Sequence, residues 1–245
     1  TLGLIHFGIP LLYYCWLKKF SNKPWNLRVD EDYTPEVTIV IPTYKEESLI
    51  ERRLDNIYEQ DYPKDSIKIF VVDSSKDRTA ELARNWASLH KDIKLKIVRE
   101  PIRRGKPHAL NNVLPTIDTE IIVVTDADCL WHKDALKKAI KYLSDPTVAV
   151  VTGVKKPMAS LKGKIAEGVE ETYRSLYNDI RVWESKIHST PIIAGELFAV
   201  KKRPLISVGG FDLVNDDSHT SMKMVSREYR AITSDEVKII ELIPT

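Results

Sequence analysis

Cysteine is scarce in this chain. Cys15 and Cys129 are the two present among 245 residues, far apart and in unlike surroundings. Neither a disulfide framework nor a zinc ligand set can be built from them, which places the folded part in a reducing compartment. No sign of charge dominates either. The 37 Lys and Arg nearly balance 35 Asp and Glu, for a net charge of +2, and no basic stripe or motif of a nucleic-acid binder stands out. Internal repeats and low-complexity segments are absent. What remains is an ordinary globular composition, long enough for one large domain or two small ones.

Long apolar runs are also missing, with one exception. "LGLIHFGIPLLYYCWL" (Leu2 to Leu17) is almost continuously apolar and is followed at once by Lys18 and Lys19. It falls short of the roughly 20 residues a spanning helix needs. The chain opens on Thr1, so the expectation is a cut fragment that retains the cytoplasmic half of a transmembrane helix. Tyr13, Tyr14 and Trp16 then lie at the interface and the lysines in the cytosol. A buried or interfacial helix is the alternative, and His6 is a tolerated polar residue. Residues 20–35 read as a linker.

From residue 36 a rhythm sets in. "VTIVIP" (37–42), "IKIFVVD" (67–73), "IKLKIVR" (93–99), "EIIVVTD" (120–126) and "VAVVTG" (148–153) read as strands. Between them, residues 48–60, 77–89, 107–114 and 133–144 carry helical spacing. This alternation predicts an α/β fold, Rossmann-like, with a mostly parallel sheet covered by helices on both faces. Near residue 155 the rhythm changes. Residues 159–187 form a long amphipathic helical stretch, with Ile165, Val169, Tyr173, Leu176, Ile180 and Trp183 on one face. A strand at "PIIAGELFAVKK", a "GGFD" turn (209–212), a helix over 218–228 and a strand over 237–243 complete the chain. The expected division is a first half at 36–153 and a second half at 154–245 of one domain.

The strand "IIVVTDADCL" (121–130) raises a question of chemistry: a run that reads as fully buried ends in two carboxylates. Asp126 and Asp128 are two residues apart. On an extended segment they point the same way and suit a hard cation such as Mg²⁺ or Mn²⁺; the alternative is a turn or cap pair before the next helix. "RRGKPHALN" offers Arg104 and Lys106 at a helix start, where an anion is welcome, or a solvated basic loop. Asp73 either accepts hydrogen bonds from a base or ribose or caps the helix after it. Asp216 and Asp217 precede a helix, as caps or with one of them a general base. His219 either assists the acids, binds metal or does neither, and Met222 and Met224 read as packing residues. Trp86, Trp131 and Trp183 stack on a sugar or lie in the core. Glu196 lines an acceptor or is an edge charge.

Together, "VTIVIPTYKEE", "VVDSSKDRT", "RRGKPHALN", "VVTDADC", "GELFAVKKR", "GGFD" and "NDD" resemble, in order and spacing, glycosyltransferase family 2 on the GT-A fold, over residues 36–235. The likeness is to the membrane-attached branch that includes cellulose, chitin and hyaluronan synthases. It implies an inverting, metal-dependent transferase at the cytosolic face of the cell membrane. Its donor would be a nucleoside-diphosphate sugar, with UDP favoured, and its acceptor a lipid or glycan. It also implies roles: Pro42, Tyr44, Glu46 and Asp73 at the nucleoside, Arg104 and Lys106 at the diphosphate or base, Asp126 near sugar and ribose, Asp128 at the metal, Asp217 as the base beside Asp216, and Gly195 and Glu196 at the acceptor. The Gln-x-x-Arg-Trp motif of processive synthases is not found. The competing expectations are a polyprenyl-phosphate sugar synthase, a non-catalytic nucleotide-binding domain, and a nucleotidyltransferase, whose glycine-rich first loop is missing.

Overall fold

A computed structural model describes residues 8–157 and 164–241. In chain order these form α1 (Ile9–Leu17), β1 (Val37–Thr43), α2 (Ile50–Tyr58), β2 (Ile67–Asp73), α3 (Thr79–Leu89), β3 (Lys94–Arg99), α4 (Lys106–Val113), β4 (Ile121–Val124) and β5 (Cys129–Trp131). There follow α5 (Ala135–Tyr142), β6 (Val148–Pro157), α6 (Lys164–Ile187), β7 (Phe198–Lys201), α7 (Lys202–Ser207), α8 (Ser218–Val225) and β8 (Arg230–Glu241).

The strands build one sheet, in the order β3-β2-β1-β4-β7-β6-β8-β5. Side chains of β1 and β4 alternate between two buried faces, as a strand covered on both sides requires. Val37, Ile39, Ile41, Ile121 and Val123 pack under Ile50, Leu54 and Ile57 of α2, Trp86 of α3 and Leu136 and Ile140 of α5. Val40, Ile122 and Val124 pack on the other face with Leu110 and Val113 of α4, Leu205 of α7 and Met224 of α8.

The sheet is mixed rather than mostly parallel. β1 runs parallel to β2 and β4, β2 to β3, and β6 to β8, but β7 is antiparallel to both β4 and β6, and β5 to β8. Val124, at the end of β4, pairs with Phe198, at the start of β7. The residues leaving β4 therefore lie beside those entering β7, and Asp126 meets Gly195 and Glu196 on one rim.

The expected transmembrane piece is not supported: no described helix is long and apolar enough to cross a membrane. α1 spans nine residues; its Tyr14 ring lies 5.2 Å from that of Trp183 on α6, and Leu17 is buried with Val154, Val182 and Trp183. The earlier part of the apolar run, with His6, lies outside the described residues, as do 158–163 and 242–245 and the side chains of Ile165, Val169 and Tyr173. Residues 20–35 cross the core as a strap: Trp25, Leu27, Val29 and Tyr33 pack against it, and Asp145 and Ser144 side chains accept from the Arg28 and Asp30 amides.

Candidate active site

The carboxyl ends of β3, β2, β1 and β4 form one rim, where ligands of open α/β sheets bind. Pro42 fits inside β1 because the β4 ladder has already parted from β1 after Val40 and Val124, so its missing N–H costs no sheet bond. Just beyond, Lys45 takes a left-handed backbone, φ 63°. For a non-glycine residue this is strain of the kind that gathers at functional sites. Tyr44 is exposed, with the Arg103 guanidinium 3.9 Å above its ring centre.

Asp73 ends β2 beside Arg99, its register partner on β3. Its side chain is fully buried. Oδ1 accepts from the Ser75 amide at 3.0 Å, the Ser75 hydroxyl at 2.5 Å and the Thr43 hydroxyl at 3.2 Å, and Oδ2 from Arg99 Nη1. The cap of the following helix is not Asp73, because α3 begins beyond Arg78.

Asp126 and Asp128 stand in a tight turn between β4 and β5, not on the strand itself, so the alternation argument does not apply to them. Nor do they cap α5, whose N-cap is Asp134. Lys106, in the first turn of α4, donates to Asp126 Oδ1 at 2.7 Å and lies 3.6 Å from Asp216 Oδ2. Burial works against the Lys106 charge, but Asp126, Asp216 and Asp217 outweigh it and hold the ammonium above its usual range. Burial also pushes the Asp216 carboxyl up, opposed by Lys106 and aided by Asp217. Glu46 is raised by burial and by the charges of Asp128, Asp126 and Asp77.

This donor set fits a divalent cation. Asp128 is exposed and Asp126 half-buried, both open to the cleft. Among the described residues no three His, Cys, Asp or Glu side chains converge as a cage. An ion held by two carboxylates keeps positions for water and phosphate, the habit of Mg²⁺ and similar hard ions. Under the turn sits Arg53, fully buried, which donates to Thr125 Oγ1 at 2.8 Å, the Cys129 carbonyl at 3.2 Å and Asn56 Oδ1 at 2.6 Å. Its guanidinium lies 4.1 Å from the Trp131 ring centre.

Gly195 closes the cleft from the β7 side. A Cβ there would stand 2.8 Å from Asp217 Oδ2 and 3.3 Å from Lys106 Nζ. Asp217 does cap α8, through Oδ1 and the Ser218 amide at 2.5 Å. Glu196 pairs with Lys155, and its carbonyl accepts from Thr125 Oγ1 at 2.7 Å and Trp131 Nε1 at 2.9 Å. Arg181 of α6 feels Glu196, Glu184 and Asp217, while burial lowers its pKa; its Nε is buried without a hydrogen bond.

Glu46, Lys106, Asp126, Asp128, Asp216, Asp217, Gly195 and Glu196 thus share one cleft, with Tyr44 and Asp73 farther along the same rim. Arg104 is exposed and lines a neighbouring groove with His108 and Asn111. His219 turns to Asp212, 3.6 Å away. Met222 is exposed, Met224 is core, and Trp86, Trp131 and Trp183 are all buried. Sequence reasoning missed Arg53, Arg99, Lys155 and Arg181. Of these, Arg53 carried a signal: a charge inside the apolar stripe of Ile50, Leu54 and Ile57.

The model of glycosyl transferase family 2 matches residues 38–209, more than half of the chain. A mannosyltransferase from Pyrobaculum calidifontis, solved in complex with GDP-Man and Mn2+, is similar over 100% of this chain and 67% of its own, at TM-score 0.89 and 46% identity. Glycosyltransferase AglE of Haloferax volcanii is 30% identical over 120 residues, 49% of this chain and 39% of its own length. The beta-monoglucosyldiacylglycerol synthase of a Synechocystis species is 24% identical over 202 residues, 80% of this chain and 41% of its own. The chain spans under half the length of these two curated relatives. A rim of acids and one lysine at the strand ends, the family match across it and a whole-chain structural likeness lead to one conclusion: this chain belongs to glycosyl transferase family 2.

Proposed function

We propose that the chain moves a hexosyl group, with inversion, from a nucleoside-diphosphate sugar to a hydroxyl of a lipid or glycan. The observation that carries this reading is Lys106 held between Asp126 and Asp216, with Asp217 and Gly195 against it. Lys106 offsets the negative charge that grows on the leaving diphosphate. Asp126 and Asp128 would hold a divalent cation, Mn²⁺ or Mg²⁺, which when bound supplies further charge compensation there. Asp217 keeps Oδ2 free of its capping bond and serves as the base that takes the acceptor proton. The acceptor oxygen then attacks the anomeric carbon opposite the departing phosphate, through an oxocarbenium-like state.

For the donor, the 46% identity to a mannosyltransferase in complex with GDP-Man and Mn2+ favours a GDP-linked hexose over the UDP sugar expected from sequence. A place at the cytosolic membrane surface is supported by Ile9, Leu11, Leu12 and Trp16, all exposed on α1, and by Lys18 and Lys19 next to them. The test is turnover of GDP-mannose and UDP sugars with lipid and glycan acceptors. The reading expects Asp217→Asn to lower kcat by about 10²-fold or more. Activity retained in Asp217→Asn, with an acceptor phosphate in place of a hydroxyl, favours a polyprenyl-phosphate sugar synthase. Binding without any turnover favours an idle nucleotide-binding domain.

A further inference from the structure

The nucleoside end of the cleft follows from strand spacing. β3, β2, β1 and β4 lie side by side, about 4.8 Å apart. Asp126 and Asp128 stand beyond β4, whereas Asp73 and Arg99 end β2 and β3, roughly 10–15 Å along the rim. A nucleotide with its diphosphate at Lys106 and the acid pair lays its ribose over β1 and its base over β2 and β3. Tyr44 and Arg103 stand between the two ends.

At that end Asp73 is closed off from a ligand. Its side chain is wholly buried, with Oδ1 turned to Ser75 and Thr43 and Oδ2 to Arg99. Arg99 is the group that faces outward, its side chain 43% exposed. It donates from Nη1 to Asp73 and from Nη2 to the Ser75 carbonyl at 2.6 Å. These two bonds fix the guanidinium plane and leave N–H groups of its five to spare. A fork already held in place loses little freedom on binding.

We propose that Arg99, held in place by Asp73 and the Ser75 carbonyl, reads the base of the donor nucleotide and selects guanine. The inference rests on the donor-site reading above and deepens it. Guanine presents two adjacent acceptors, O6 and N7, which an arginine fork meets with two bonds. Adenine sets an amino donor beside N7, and uracil sets the N3–H donor beside O4, so each offers the fork one acceptor and one opposed N–H. Arg99 does not act in the transfer step; it sets which donor binds.

The experiment is calorimetric titration of GDP, UDP and ADP, each with Mn²⁺, into the full chain and into Arg99→Lys and Asp73→Asn, with folding checked by circular dichroism. Arg99→Lys keeps a cation beside Asp73 but removes the fork. The wild type is expected to bind GDP at least about tenfold more tightly than UDP or ADP. Arg99→Lys should lose most of that preference by weakening GDP alone. Asp73→Asn, which still has a carbonyl oxygen for Arg99, should keep it. Equal losses for GDP and UDP in Arg99→Lys, or a preference that survives there and vanishes in Asp73→Asn, overturn the assignment while the donor site stands. A wild type that binds no nucleotide overturns both. Should Arg99→Lys not fold, Arg99→Gln, which also lacks the fork, takes its place with the same expected loss of the GDP preference.

Discussion

Gly195 and Asp217 stand so close that a methyl group on the Gly195 Cα would lie 2.8 Å from Asp217 Oδ2. Oxygen and carbon do not share that space without a shift, and the same methyl would be 3.3 Å from Lys106 Nζ. Gly195→Ala is therefore expected to push the base aside, while Lys106 yields by a few tenths of an ångström and the nucleoside end of the rim stays intact. Steady-state kinetics should show kcat lowered by about 10²-fold, the scale of an ångström misplacement, with nucleotide affinity changed far less. An Ala variant with normal kcat removes Asp217 from the reaction.

Arg53 is the second position where one side chain organises others. It lies under the Asp126–Asp128 turn, buried, joined to Thr125, Cys129 and Asn56 and stacked on Trp131. Arg53→Met keeps much of the volume and takes the donors away from Thr125 Oγ1 and the Cys129 carbonyl, while Asn56 Oδ1 keeps the Trp131 amide. Each buried polar group so stranded costs about 1–3 kcal/mol. Denaturant titration should register at least one such loss, and Mn²⁺-dependent nucleotide affinity should fall with it, because the turn that carries the acids loses its support. Unchanged affinity in a destabilised variant assigns Arg53 to the fold alone.

Asp179 offers a test by pH away from the rim. Burial raises its carboxyl pKa, and Asp235 adds to this; Lys155, Arg174, Lys186 and Lys238 line the same cavity. A carboxyl raised on folding contributes most when protonated in both states, below about pH 3.9. That contribution is lost as pH rises through the folded value. Asp179→Asn, which cannot ionise, should therefore raise Tm at pH 7 and leave it unchanged near pH 3. A lower Tm at pH 7 means that the neighbouring cations outweigh burial.

Most of the first half was legible because its longer strands are apolar or alternating runs between turn residues, and its helices carry apolar residues at helical spacing. The second half was less so. α7 is six residues long and contains Pro204, and in the first half β5 is three residues long; neither has a period to read. The antiparallel seat of β7 is a property of its partners, β4 and β6, which no local pattern encodes. The same holds for the site. The acids and Lys106 stood out as charges at strand ends, though strand geometry was the wrong reason for pairing Asp126 with Asp128. Arg99, Lys155 and Arg181 gave no signal, since their importance comes from what folds against them.

The most direct measurement is the affinity of GDP for the wild type and for Asp128→Ala, each with Mn²⁺ and with a chelator in its place. Phosphates held at Lys106 through a cation on the acid pair require tight binding in one of the four conditions, wild type with Mn²⁺, and at least about tenfold weaker binding in the others. Equal affinity in all four would contradict the account.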